Sequence, residues 1–187
     1  MRIDVRTNFP DVARQLAKLQ DGLASTVMAR TLNRVVEQAR TQMGREIRNE
    51  FNLTASYVRE RLQVRKAFAR AGQFALSAEL TGGKGTKRAV NVIHFSARKG
   101  TTGVSVAIRR GTRKEIAGSF IGNKGRTVFK RRGAARLPID PVRTIDAAQM
   151  FNTRRINAVV VAAINARLPV VFDRELRYAL LQAGLTP

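Results

Sequence analysis

Hydrophobic positions change their period twice along this chain. From Leu23 to Phe51 they recur every four residues, at Leu23, Val27, Thr31, Val35, Ala39, Met43, Ile47 and Phe51, with Met28, Leu32 and Val36 alongside. That pattern is an amphipathic helix. A strict four-residue repeat drifts about 40° per step against a period of 3.6, so the stripe winds around the helix. A helix of about 29 residues is roughly 43 Å long. Either the helix curves over the core or its two ends face different partners, and a length exceeding the width of a small domain favours the second. Upstream, Ile3 and Val5 suggest an edge strand. Pro10, with Asn8 as a cap, opens a short helix carrying Val12, Leu16 and Leu19, which Asp21 and Gly22 break. Downstream, Thr54 caps a second helix reaching Leu62.

The period then becomes two. Leu62, Val64 and Phe68, then Phe74, Leu76, Ala78 and Leu80, predict two strands turning at Ala71–Gly72. Val90–Ala97 predicts another, with Ile93 and Phe95 on one face and Val92 and His94 on the other. The stretch from Gly103 to Gly133 reads as a three-stranded meander around Val104, Val106 and Ile108, then Ile116 and Phe120, then Val128. Leu137–Pro141 reads as a rigid extended link.

Beyond it the helical period returns. Thr144 is placed to cap a helix from Ile145 to Phe151, with Asp146 in its first turn. Ile156, Val159, Val160, Ala163, Ile164 and Leu168 mark a final helix that Pro169 should kink or interrupt. Its stripe resumes at Phe172 and reaches Gly184. The order is helices, strands, helices. It predicts an α+β fold, with about five to six short antiparallel strands flanked by a long N-terminal helix and C-terminal helices. The length suits one domain, 1–187, with a helical region at 10–62, a basic sheet region at 63–136 and a helical region at 137–187.

Charge changes this picture most. The 187 residues carry 35 Lys and Arg against 13 Asp and Glu, a net of +22. From Lys84 to Arg136 there are fifteen basic residues and one acid, Glu115. The excess sits on the predicted sheet and its turns, at Arg109, Arg110, Arg113, Lys114, Lys124, Arg126, Lys130, Arg131 and Arg132. Such a surface seeks a polyanion or an acidic protein. Lys84, Lys87 and Arg88 belong to a further basic loop, Thr81–Arg88. It is no phosphate-binding P-loop, because Lys84 precedes Gly85 instead of following the last glycine.

Catalytic chemistry finds little support. There is no cysteine and one histidine, His94, with no carboxylate or cysteine beside it. Glu46 and Glu50 share a helix face with Arg45, Arg48 and Asn49, which is the composition of a solvated ion-paired surface. Neither an enzyme nor a cofactor is expected. No apolar run is expected to span a membrane. The N-terminus lacks the apolar core of a secretory signal, which points to the cytoplasm as the site of synthesis. Phe95, Phe120 and Phe129 alternate with basic residues. They are either sheet core or stacking platforms for bases, and the alternation favours core. No zinc finger, helix-turn-helix or RNP-type motif is evident, so any nucleic-acid contact is expected to ignore sequence.

Three runs carry a family resemblance. They are FNLTASYVRERLQVRKA from Phe51, VNVIHFSARKGTTGVSVAIRRGTRKEIAGSFI from Val90, and TVFKRRGAARLPI from Thr127. Together they resemble the minor tail protein Z family, tail-completion proteins of long-tailed bacteriophages and prophages, over about residues 10–183. The family pattern has a Gly-Pro-Ser-like turn after Leu-Pro-Ile, where this chain reads Pro141-Val142-Arg143-Thr144. The resemblance implies a structural virion protein at the head-proximal end of the tail, in the neck. Its implied partners are copies of itself in a homo-hexameric ring, the tail terminator and the head–tail connector; the basic patch would meet either phage DNA, without sequence specificity, or carboxylates of a neighbouring ring. The other reading is a basic nucleic-acid-binding protein or assembly factor that does not stay in the virion.

Overall fold

The computed structural model describes residues 2–5, 21–70, 73–82, 89–145 and 147–184. Within them the chain is α+β, with four α-helices and eleven short strands. All strand pairing is antiparallel, in three three-stranded sheets and one two-stranded hairpin. The chain forms two compact units. One comprises residues 1–43, 62–82 and 154–187, and the other residues 44–61 and 83–153.

The first unit is built on α1 (Asp21–Glu50) and α4 (Arg154–Gln182). Val27 and Met28 of α1 pack with Phe172, Leu176 and Ala179 of α4. β5 (Ala78–Gly82) lies between β1 (Arg2–Val5) and β2 (Leu62–Arg65), with Leu80 paired to Ile3 and to Val64. β3 (Phe68–Arg70) and β4 (Gln73–Ala75) form the hairpin. Asn33 of α1 pins the junction between β2 and β3. Its Nδ2 donates to the Ala67 carbonyl at 2.9 Å, and its Oδ1 accepts from the Ala67 N–H at 2.8 Å.

The second unit takes α1 from Gly44 onward. Stripe positions Val27 to Met43 fall in the first unit and Ile47 and Phe51 in the second, and all of them are buried. α2 (Ala55–Arg61) follows, capped as expected: the Tyr57 N–H donates to Thr54 Oγ1 at 3.3 Å. Such a cap contributes about 1 kcal/mol. One sheet orders β6 (Arg98–Lys99), β7 (Gly103–Val106) and β8 (Lys114–Ala117). Another places β10 (Thr127–Arg131) between β9 (Ser119–Gly122) and β11 (Ile139–Pro141). Val92, Val104, Val106 and Val128 form the core between them. α3 (Ala147–Phe151) closes the unit.

Several expectations are corrected. Val90–Ala97 is not a strand but a 3-10 turn at Val92–His94. Asn91 is the cause: its Oδ1 accepts from the Ile93 and Val128 N–H groups, and its Nδ2 donates to the Val128 carbonyl. A short amide side chain thereby takes the bonds a ladder would have used. The three-stranded meander is four strands in two sheets. Gly118, at φ +70°, ends β8 and turns the chain into β9, a conformation glycine takes without a Cβ penalty. The pair of strands expected from Leu62 to Leu80 is likewise four. The extended link at Leu137–Pro141 contributes β11.

Pro169 does not interrupt α4, which runs through it. Pro169 and Asn165, whose carbonyl loses its partner, lie on the exposed side, while Ile164, Leu168, Val171 and Phe172 anchor the helix on both flanks. By length and composition α4 is also long and apolar enough to cross a membrane, contrary to expectation, although a buried core helix of a soluble protein meets the same criterion. The Thr144 N–H donates to the Val90 carbonyl at 2.9 Å and the Val90 N–H to the Ile145 carbonyl at 3.3 Å, so Thr144 and Ile145 are bound outside the helix and α3 starts at Ala147. The expectations at Asn8–Leu19, Ala71–Gly72 and Asp146 lie outside the described residues. Asp21 and Gly22 belong to α1.

Candidate polyanion-binding face

The nine basic residues singled out from sequence all lie in the second unit, but they divide by what their side chains touch. Three guanidinium groups are engaged within the fold. Arg113 Nη1 donates to the Ser96 carbonyl at 3.2 Å and to the Ser105 carbonyl at 3.1 Å. It ties the end of the 3-10 turn to β7. Arg110 Nε donates to the Arg48 carbonyl at 2.7 Å, satisfying a carbonyl in the last turn of α1. Arg132, just past the end of β10, grips Asp140 of β11, with Nε 2.6 Å from Oδ2 and Nη2 3.0 Å from Oδ1. That two-pronged bond holds the Asp140 carboxyl below its ordinary range and raises the guanidinium.

Arg109 is intermediate. Its Nη2 stands 4.0 Å from Glu50 Oε1 and its side chain is largely exposed, so the pair is loose. Arg131 lies over the Phe120 ring, with Cζ 5.1 Å from the centroid. Lys114, Lys124, Arg126 and Lys130 have no partner among the described residues and are exposed. Lys84, Lys87 and Arg88 lie outside the described residues.

Lys124 and Arg126 occupy the tip between β9 and β10. The Gly125 N–H donates to the Gly122 carbonyl at 3.1 Å, and Asn123 and Lys124 between them have φ of 51° and 53°. Two central residues of positive φ define the turn whose twist matches a hairpin. Asparagine suits it; lysine adopts it at a cost of about 1–2 kcal/mol.

Glu115, the one acid of the basic stretch, is not a free counter-charge. Its Oε1 accepts from the Thr102 N–H at 2.6 Å, the Thr102 hydroxyl at 3.0 Å and the Gly103 N–H at 2.8 Å. Gly100 permits this approach, since a Cβ there would stand 2.5 Å from Oε1. The Thr102 bonds first, then Gly103, hold the carboxyl below its ordinary value. Nothing in the sequence signals this role beyond the isolation of Glu115 among cations. Nor does the sequence single out Lys99, which with Thr101, Thr102, Phe120 and Ile121 lines a shallow depression.

His94 is exposed, with one side of its ring against Tyr57. Its ring lies 4.4 Å from the Tyr57 ring, whose face carries Arg61 at 3.5 Å. Among the described residues no cluster of three or more His, Cys, Asp or Glu could hold a metal ion.

The chain belongs to the prophage minor tail protein Z family, whose model matches residues 10–183. No curated protein and no solved structure matches it. Family membership makes the chain a phage tail structural protein.

Proposed function

We propose that this tail protein completes the head-proximal end of the tail and supports head–tail joining, as one subunit of a ring around the DNA channel. Its unpartnered cations face the DNA. The observation that carries this reading is the hairpin tip. Lys124 is held at positive φ, where glycine would fit better, and neither it nor Arg126 has an intramolecular partner among the described residues. A costly backbone conformation kept at an exposed cation points to a use for that cation outside the fold. Phosphates, met through charge alone, are the fitting ligand. Six copies would match a six-fold neck, with the tail terminator and the connector as neighbours.

The test is charge reversal in the encoding phage. Lys124→Glu with Arg126→Glu should sharply lower the yield of infectious particles while the purified protein keeps its melting temperature. A normal titre from that double variant would contradict the DNA-facing role. Arg132→Glu is the wrong probe, because it breaks the bond to Asp140.

A further inference from the structure

The two phenylalanines that could serve either core or stacking are placed by the strand register. Val128 is buried with Val92, Val104 and Val106. Side chains alternate along a strand, so Phe129 and Arg131 lie on the opposite face of β10. Phe120 is directly across from Phe129, and Pro141 and Ile139 are across from Phe129 and Arg131. The two rings stand 6.0 Å apart, tilted by 31°. Both are half-buried and Arg131 is exposed, whereas Phe95 is fully enclosed. This face therefore presents two ring systems and a guanidinium plane outside the core.

Charge and chemistry specify what would cover it. Arg131 lies on the face, Lys124 and Arg126 at its tip, and Lys99 on the depression that Phe120 also lines. The acids of the flanking strands are occupied, Glu115 by Thr102 and Gly103, and Asp140 by Arg132. The occupant must be anionic and must offer flat faces to the rings. A duplex hides its base faces in its own stack; an unpaired strand exposes them. We infer that the face bearing Phe120, Phe129 and Arg131 is a stacking platform for an unpaired polynucleotide strand, whose phosphates are taken by Lys99, Lys124 and Arg126. Recognition is independent of sequence, because every base has a π face. Lys130, on the other face of β10, takes no part. The inference does not depend on retention of the protein in a virion.

Fluorescence anisotropy of the full chain tests it, with labelled oligothymidylate of about 20 nucleotides, the length at which several bases reach the platform, and a duplex of equal length. Wild type should bind the unpaired strand more tightly than the duplex. Phe120→Leu with Phe129→Leu keeps apolar volume but removes both π faces. It should weaken strand binding by about tenfold or more and leave duplex binding nearly unchanged. Phe129→Tyr should retain strand affinity. Equal affinity of wild type for strand and duplex would overturn the inference. So would an unchanged strand affinity in the double leucine variant, or capture of poly-glutamate as tightly as the strand, which would assign the face to charge alone.

Discussion

Glu115 binds the backbone of Gly103 across the β7–β8 pair, its Oε1 accepting from that N–H at 2.8 Å while also accepting from Thr102. The carboxylate fixes the turn that starts β7 and removes the one acid of the basic stretch from competition with an outside anion. Glu115→Gln should lower the melting temperature at pH 7. Because the folded carboxyl titrates below its ordinary value, its stabilisation is present above that value and fades as pH falls through the lowered one. Melting curves from pH 7 to pH 3 should show wild type and Glu115→Gln converging. A constant gap would contradict this account.

Arg34 and Glu175 join α1 to α4. The Glu175 side chain is 4% exposed and accepts from Arg34 Nε at 2.7 Å, with Arg174 Nη2 at 3.7 Å. Arg34→Ala leaves a buried carboxylate with only the more distant guanidinium. It should cost about 2 kcal/mol in denaturant unfolding, the range for a hydrogen bond to a charged group. Replacing both partners, Arg34→Met with Glu175→Leu, should recover most of that loss. A double variant worse than Arg34→Ala would show that Glu175 contributes more than this one pair.

His94 titrates below the ordinary histidine value, first because it is partly buried against Tyr57 and second because Arg61 lies nearby. Here the neutral form is favoured in the fold. Stability should be full above the ordinary histidine pKa and should decline as pH falls from there to the lowered value. As the single histidine, His94 gives one resolved signal in an NMR titration. Arg61→Ala should move that titration upward, and His94→Gln should remove this part of the acid sensitivity.

Lys124 sits at positive φ in the β9–β10 turn. Lys124→Gly should raise the unfolding free energy by about 1 kcal/mol, while weakening binding to duplex DNA and flattening its salt dependence. If stability rose and binding held, the lysine would have no role in polyanion contact.

The helical parts of the fold were plain in the chain because their cause is periodic. The α1 stripe from Val27 to Phe51 is buried at every expected position, Thr31 included, whose hydroxyl bonds back to the Val27 carbonyl at 2.8 Å. The strand region was harder to read. Asn91 and Gly118 each redirect the backbone through one side chain, or the lack of one, and neither alters the alternation around it. Pro169 misled because its effect depends on whether flanking residues are packed, which only tertiary structure decides.

The site was legible as a composition, not as an arrangement. Fifteen cations between Lys84 and Arg136 announced a polyanion-seeking surface. Nothing in their spacing separated Arg110, Arg113 and Arg132, which bond within the fold, from Lys114, Lys124, Arg126 and Lys130, which are available. Phe120 and Phe129 obey the same alternation as core residues, yet pairing with β11 and with each other leaves them on the other face.

The most direct measurement is a cryo-EM reconstruction of the neck and upper tail of particles from the encoding phage. A ring of density that fits this chain is expected at the head-proximal end of the tail, with the β9–β10 tip turned toward the DNA. A well-resolved neck without such density would contradict the proposed role.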